Sequence, residues 1–347
     1  MVVYRRAAGC RGAASAVRRR RKAPVVPAGY RDAVTLAPAA APRVGDAPRR
    51  SVYRPAERIA LGVTLAPLAS GPGDPTVRRD GRAWWLAFAT PAGAATLRIV
   101  ETSEGIVGTG WGPGAGAALD AMPRLLGADD DRSGFAAGRH PVVRELHHRL
   151  PGLRLPRTGR LLPHLVPTIM GQKVTALEAV RAWRVLVRRH GAPAPGPAPD
   201  GMRIAPAAAT WRAVPSWEWH RAGVTPQRAD TLMRAMAVGE SLERGAAMPA
   251  AEAIRRMRTI SGVGVWTAHE TVQRSHGDPD SVSIGDLHLC KQVGMALAGR
   301  RVDDDGMLEL LEPFRGHRHR VVRLLEASGV GYERRGPRMT IPDHRTR

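Results

Sequence analysis

The spacing of apolar and polar residues changes character once along the chain, near residue 135. From Ile59 to Gly110 the apolar residues fall in short runs, IALGVTL, AWWLAFA, TLRIV and GIVGTG, separated by clusters of Gly, Pro and Asp. Runs of this length bounded by turn formers predict β-strands. The stretch TPAGAA, Thr90 to Ala95, has the length of a hairpin connection, so an antiparallel sheet is expected. GAALDAMPRLL follows with helical spacing, and Pro123 is expected to break its regularity. Beyond about residue 135 the period is helical almost to the end. Leu165, Ile169, Ala176, Val180, Trp183 and Val187 lie near helical spacing. Further helices are predicted around residues 226–237, 249–259, 265–276, 286–298, 304–312 and 317–328, with a Pro-rich connector from Ala192 to Gly201. No tandem repeat is found. The fold class is therefore α+β, with a small β/α domain (56–135) ahead of a larger helical domain (136–330). A basic extension (1–55) and a basic tail (331–347) flank them, and the extension is expected to be disordered.

Composition sharpens this picture in two ways. The 347 residues suffice for two or three compact domains, and no apolar run is long enough to span a membrane. The formal net charge is +22, which favours a polyanionic partner such as nucleic acid. Lysine occurs only at Lys22, Lys173 and Lys291, so the excess is nearly all arginine. With abundant Ala, Gly and Pro, that excess also fits a GC-rich coding bias. Arg18 to Lys22, RRRRK, would add non-specific phosphate contacts. Cys10 and Cys290 are the only cysteines, which leaves no disulfide framework and no cysteine-rich zinc or iron–sulfur site. A reducing cytoplasmic compartment, in association with the nucleoid, is expected.

The candidate chemistry centres on ISGVGVWTAHE, Ile260 to Glu270. A helical pattern ends at Ile260, SGVG (Ser261 to Gly264) makes a tight turn, and a second helical pattern opens at Val265. A mononucleotide P-loop would need a preceding strand, four residues between the glycines and a following Gly-Lys-Ser/Thr; none is present. A dinucleotide fingerprint fails for want of a strand and a third glycine. Taken alone, the two glycines fit either a plain αα-hairpin with a glycine cap or a hairpin that grips a phosphate. In the second reading glycine allows close backbone approach, and the next helix offers unsatisfied N–H groups and a positive dipole end. Asp286, in SIGDLHLCKQVGMAL, precedes apolar residues at helical spacing. Its position suits a helix N-cap, and the long loop from Gly277 to Gly285 lets it return to the glycine turn. His269 and Glu270 begin like a zinc-protease helix, but residue 273 is Gln, so the paired histidine is missing. His147, His148, His317 and His319 are read as solvated or DNA-facing, and no metal site is expected.

ISGVGVWTA followed by SIGDLHL resembles the helix–hairpin–helix DNA glycosylase superfamily. IMGQKVTALEAVRAW and LLEPFRGHRHRVVRLL are similar to segments of its AlkA-type branch, DNA-3-methyladenine glycosylase II; DPT and TPAG in the β region add weaker likeness. The resemblance spans roughly residues 57–328. It implies a base-excision enzyme that flips a damaged base out of double-stranded DNA and hydrolyses its N-glycosidic bond. Asp286 would be the catalytic carboxylate, stabilising positive charge on the sugar. Trp266, Phe314 and Glu270 would line the base pocket, although Glu270 falls where the branch often has an aromatic residue. Gly262, Val263, Gly264, Thr267, Gln172 and Lys173 would contact DNA, with Lys173 at a position that can carry an apolar wedge. Trp266 stands where bifunctional members carry a lysine nucleophile, so no strand-cleaving lyase activity is expected. The enzyme would act as a monomer and need no cofactor, though hairpin carbonyls in the superfamily can hold a monovalent cation. Glu270 leaves open a sister activity on deaminated or oxidised bases. A catalytically silent damage sensor or architectural DNA-binding protein would keep the hairpin and the charge without releasing any base.

Overall fold

The computed structural model describes residues 47–330. The basic tail from residue 331 and most of the basic extension lie outside the described residues. The sheet begins earlier than the sequence suggests: Arg49–Tyr53 (β1), expected within the disordered extension, pairs antiparallel with Gly105–Trp111 (β5). This edge strand, RRSVY, is exposed at its first two residues and only partly buried at the other three, so it carries no apolar run of the kind that marks β3 to β5. With Val77–Asp80 (β2), Ala83–Thr90 (β3) and Gly93–Thr102 (β4) it makes a five-stranded sheet of order β1-β5-β4-β3-β2. Thr90 pairs with Gly93, so TPAG is the hairpin turn the sequence predicts.

β3 reads as a continuous apolar run because both its faces are covered. Trp84, Leu86 and Phe88 point into a core shared with Leu119, Met122 and Leu125 of the helix Ala115–Leu125. Ala83, Trp85 and Ala87 lie beneath Met202 and Ile204, which follow the Pro-rich connector. The Ala115–Leu125 helix runs on past Pro123, which interrupts only its hydrogen-bond pattern by offering no N–H to the carbonyl of Leu119.

The helical part packs Leu165, Ile169, Trp183, Leu186, Leu232, Met257 and Val272 into one core. A second core gathers the later helices around Val293, Met307, Leu311, Phe314, Val321 and Leu325. Polar hubs tie the β/α part to these helices. Asp74, 1% exposed, accepts from Thr76 N at 2.7 Å, Ser70 N at 2.5 Å and Trp183 Nε1 at 3.2 Å. Asp130 and Arg320 form a buried bidentate pair at 2.7 and 3.0 Å. Removing an acceptor that serves several buried donors leaves them unsatisfied. Asp74→Ala is therefore expected to cost roughly 3 kcal/mol of stability. Urea unfolding measures it, and an unchanged midpoint would show that the hub carries little weight.

Candidate functional site

The helices Ala250–Arg258 and Val265–Ser275 flank the glycine turn, as the spacing predicts. The two glycines are there for different reasons. Gly262 has φ +94°, and a Cβ on it would collide with the side chain of Thr231 on the helix Pro226–Ala237. Its role is to let the turn pass close over that helix. Gly264 has φ −88° and ψ −174°, an ordinary extended conformation, and a Cβ there would meet nothing within 4 Å. Nothing inside the protein asks for glycine at 264. It is exposed and stands at the start of the second helix, which no side chain caps. The first N–H groups of such a helix lack intrahelical acceptors, so this end is open to an anion.

The turn is braced from two sides. Gln172 Nε2 donates to Gly262 O at 2.9 Å and to Thr267 Oγ1 at 2.8 Å. Arg234 Nε donates to Ser261 O at 3.0 Å, and its NH2 to Thr231 Oγ1 at 3.1 Å. The carbonyls of Ser261 and Gly262 are thereby each engaged by a side chain. Among the described residues no group of three or more His, Cys, Asp or Glu side chains is arranged to hold a metal. Three residues expected at DNA have their side chains engaged within the protein. Thr267 is 2% exposed, Val263 packs into the helical core, and Gln172 spends its amide on the hairpin. Lys173 is exposed and has φ 55°, the one non-glycine residue with positive φ among the described residues. A left-handed lysine is strained by about 1 kcal/mol, and the fixed Gln172 before it and the capping box of Thr175 and Glu178 after it hold it there.

Asp286 comes back to this turn. The hydrogen-bonded helix begins at Leu289, but Asp286 Oδ1 accepts from His288 N at 2.7 Å and Leu289 N at 2.9 Å. It therefore caps the turn that leads into the helix, whereas the helix N-cap that the sequence assigned to Asp286 falls at His288. Its second oxygen, Oδ2, accepts from Trp266 Nε1 at 3.3 Å. One carboxylate oxygen is committed to structure, the other lies against the aromatic side chain just beyond the glycines. Asp286 is half-buried, neither sealed inside nor turned away.

The remaining pocket expectations fare differently. Phe314 is 3% exposed, with its ring 6.3 Å from that of Phe135, and packs among the last helices. No ring contact joins it to Trp266 among the described residues; its apolar burial there is enough to explain it. Glu270 pairs with Arg274 NH1 at 2.8 Å and accepts from Ser283 Oγ. His319, beyond Arg274, is buried, and burial with Arg323, Arg274 and Arg320 nearby pushes its imidazole well below the ordinary range. Burial likewise lowers His269, on the second hairpin helix. The cavity of about 450 Å³ lined by Asp130, Asp131, Arg132, Ser133, Phe135 and His147 includes neither Asp286 nor Trp266. Sequence reasoning missed Thr231, Arg234, Arg274 and Ser283. They carry no motif of their own, and only their partners reveal them.

No family model and no curated protein matches the sequence. Solved structures do match. A 3-methyladenine DNA glycosylase from Archaeoglobus fulgidus aligns with TM-score 0.66 and 15% identity, covering 80% of this chain and 97% of that one. An 8-oxoguanine glycosylase/lyase from Clostridium acetobutylicum, in complex with double-stranded DNA, aligns with TM-score 0.59 and 12% identity over 77% of this chain and 90% of that one. Its apo form aligns equally, at 0.59 and 12%, over 77% and 92%. The chain thus has the fold of the helix–hairpin–helix DNA glycosylases, an α+β architecture in which an antiparallel sheet precedes the helical part.

Proposed function

We propose that the protein is a DNA glycosylase of base-excision repair that hydrolyses the N-glycosidic bond of alkylated purines of the 3-methyladenine kind in double-stranded DNA. The 3.3 Å hydrogen bond from Trp266 Nε1 to Asp286 Oδ2 carries this reading. It sets a half-exposed carboxylate at the N–H edge of an indole, next to an open glycine turn. A base inside the stack cannot be reached, so the nucleotide must swing out to this acid. As the bond from C1′ to the base nitrogen breaks, its electron pair leaves with the base and positive charge grows on the sugar. Asp286 stabilises that charge, water adds to C1′, and the water's proton is released. A base that already carries a positive charge departs without acid help, and an aromatic face such as that of Trp266 attracts it. Gly264 and the start of the second hairpin helix would receive a backbone phosphate, which positions the strand without reading sequence. No membrane enters this scheme: no helix among the described residues is long and apolar enough to cross one. The protein is taken to act as a cytoplasmic monomer on chromosomal DNA, with no cofactor.

Two assays test the reading. Purified protein is incubated with duplexes carrying an alkylated purine, 8-oxoguanine or hypoxanthine, and free base is measured. Release of the alkylated purine is expected. Release of only the other two would move the substrate to oxidised or deaminated bases, and release of none would leave a DNA-binding protein without catalysis. Borohydride is then added during the reaction. No covalent protein–DNA adduct is expected, because Trp266 stands where an amine nucleophile would be needed. A trapped adduct would end the hydrolase assignment.

A further inference from the structure

The segment that ends in Asp286 is fastened along the second hairpin helix, Val265–Ser275, by successive side-chain rungs. Gln273 Nε2 donates to Ser281 O at 3.0 Å and to Ser283 Oγ at 2.9 Å. Ser283 Oγ donates in turn to Glu270 Oε1. Trp266 Nε1 then reaches Asp286 Oδ2. Chain order runs upward in the segment and downward in the helix, so the two lie antiparallel. Ser281, Ser283 and Gln273 are all at least 94% buried, since their exposures are 3%, 2% and 6%. Polar groups are costly in such a place unless each finds a partner, and apolar residues would hold the segment down more cheaply. A satisfied buried network gives one defined register where apolar packing allows several. Glu270 also reaches outward. Arg274 NH1 binds Glu270 Oε2, and Arg274 Nε donates to Pro67 O at 2.8 Å, in the β/α part of the chain. Pro67 lies between the core residues Leu65 and Leu68 of that part.

We propose that Glu270 is a positioning residue for Asp286, acting through Ser283, and that Arg274 joins this unit to the β/α domain by way of Pro67. The proposal rests on the glycosylase reading for its catalytic consequence, though not for its structural one. Glu270 does not touch the base; it sets the register of residues 281–286, and so the height at which the carboxylate meets the sugar. The β/α domain thereby contributes to the site without supplying a reacting group.

The test is Glu270→Gln, which keeps shape and size but has a single acceptor oxygen and so cannot accept from both Ser283 Oγ and Arg274 NH1. Single-turnover base release is expected to fall by about tenfold or more, as small misplacements of a catalytic group do, with the DNA dissociation constant unchanged. The factor is the same for every lesion base that the wild type releases. In the Asp286→Asn background the substitution adds no further loss. Ser283→Ala lowers release in the same direction, and the double variant with Glu270→Gln loses less than the product of the two. Hydrogen exchange of amides 281–289 speeds up in either single variant, with the rest of the molecule protected as before. A factor that differs between lesion bases would mean that Glu270 touches the base and would overturn the proposal. So would an equal loss in the Asp286→Asn background, or unchanged exchange in the segment. If the wild type releases no base at all, the glycosylase reading fails, and the exchange experiment alone decides the positioning role.

Discussion

Asp286→Asn is expected to slow base release about a thousandfold, to a residual single-turnover rate still measurable over long incubations, while duplex binding and thermal stability stay near those of the wild type. The size follows from charge. Loss of one well-aimed electrostatic contact to a charged transition state costs about a hundred- to a thousandfold, and here a full negative charge is replaced by a neutral amide. A thousandfold corresponds to about 4 kcal/mol of barrier. The sparing of stability follows from the way the carboxylate divides its work. Oδ1 caps the turn through His288 N and Leu289 N, and asparagine caps as well as aspartate does. Oδ2 accepts the indole N–H of Trp266, and an amide oriented to cap with its oxygen turns its NH2 toward that indole. The damage is therefore local to the catalytic oxygen. Base release measured on a lesion duplex, with a melting curve beside it, checks both halves. Full activity in this variant would remove Asp286 from the mechanism, and a collapsed melting curve would show that its capping role dominates.

The two hairpin glycines are expected to fail in opposite ways when each becomes alanine. Gly262→Ala loses stability by roughly 3 kcal/mol, from a left-handed backbone angle that alanine resists and from a methyl group forced into Thr231. Gly264→Ala leaves the melting temperature unchanged or slightly higher, since its backbone is ordinary and its surroundings open, and a Gly→Ala change at a permissive angle stiffens the unfolded chain. Its loss appears in DNA affinity, by about tenfold, because the methyl group stands where a phosphate would approach the backbone amides; one lost charge-assisted hydrogen bond is worth this much. Equilibrium binding to an undamaged duplex at fixed salt reads the second effect, and calorimetry the first. Tight DNA binding by Gly264→Ala would place the nucleic-acid surface elsewhere.

The contrast between these glycines shows where a linear reading stops. In the sequence both glycines carry the same weight, and both fit a phosphate clamp. The folded chain separates them, because only Gly262 faces Thr231, 31 positions before it. Thr267, Val263 and Gln172 show the same limit. Their proximity to the glycines in sequence or in motif suggested DNA, and the fold turns their side chains to the core or to one another. Gln172 is bonded to Gly262 and Thr267 across 90 and 95 positions, a separation at which local spacing carries no information. Phe314 met an apolar environment among the last helices, which is the commoner fate of such a ring.

By itself the sequence determined what depends on neighbours along the chain. Short apolar runs and turn chemistry set β3, β4 and β5, though the run IALGVTL forms the short helix Leu61–Leu65 instead of a strand; helical spacing set the two hairpin helices, and the aspartate before LHLC set a capped turn. It also determined that an acid, a tryptophan and two glycines exist at spacings that permit a site. The tertiary structure alone decided which oxygen of Asp286 is left for chemistry, which glycine is open, and that Glu270 is spent on Ser283 and Arg274. The reason is physical: periodicity states which face of an element is buried, but the partner buried against it is chosen by packing among segments far apart in the chain.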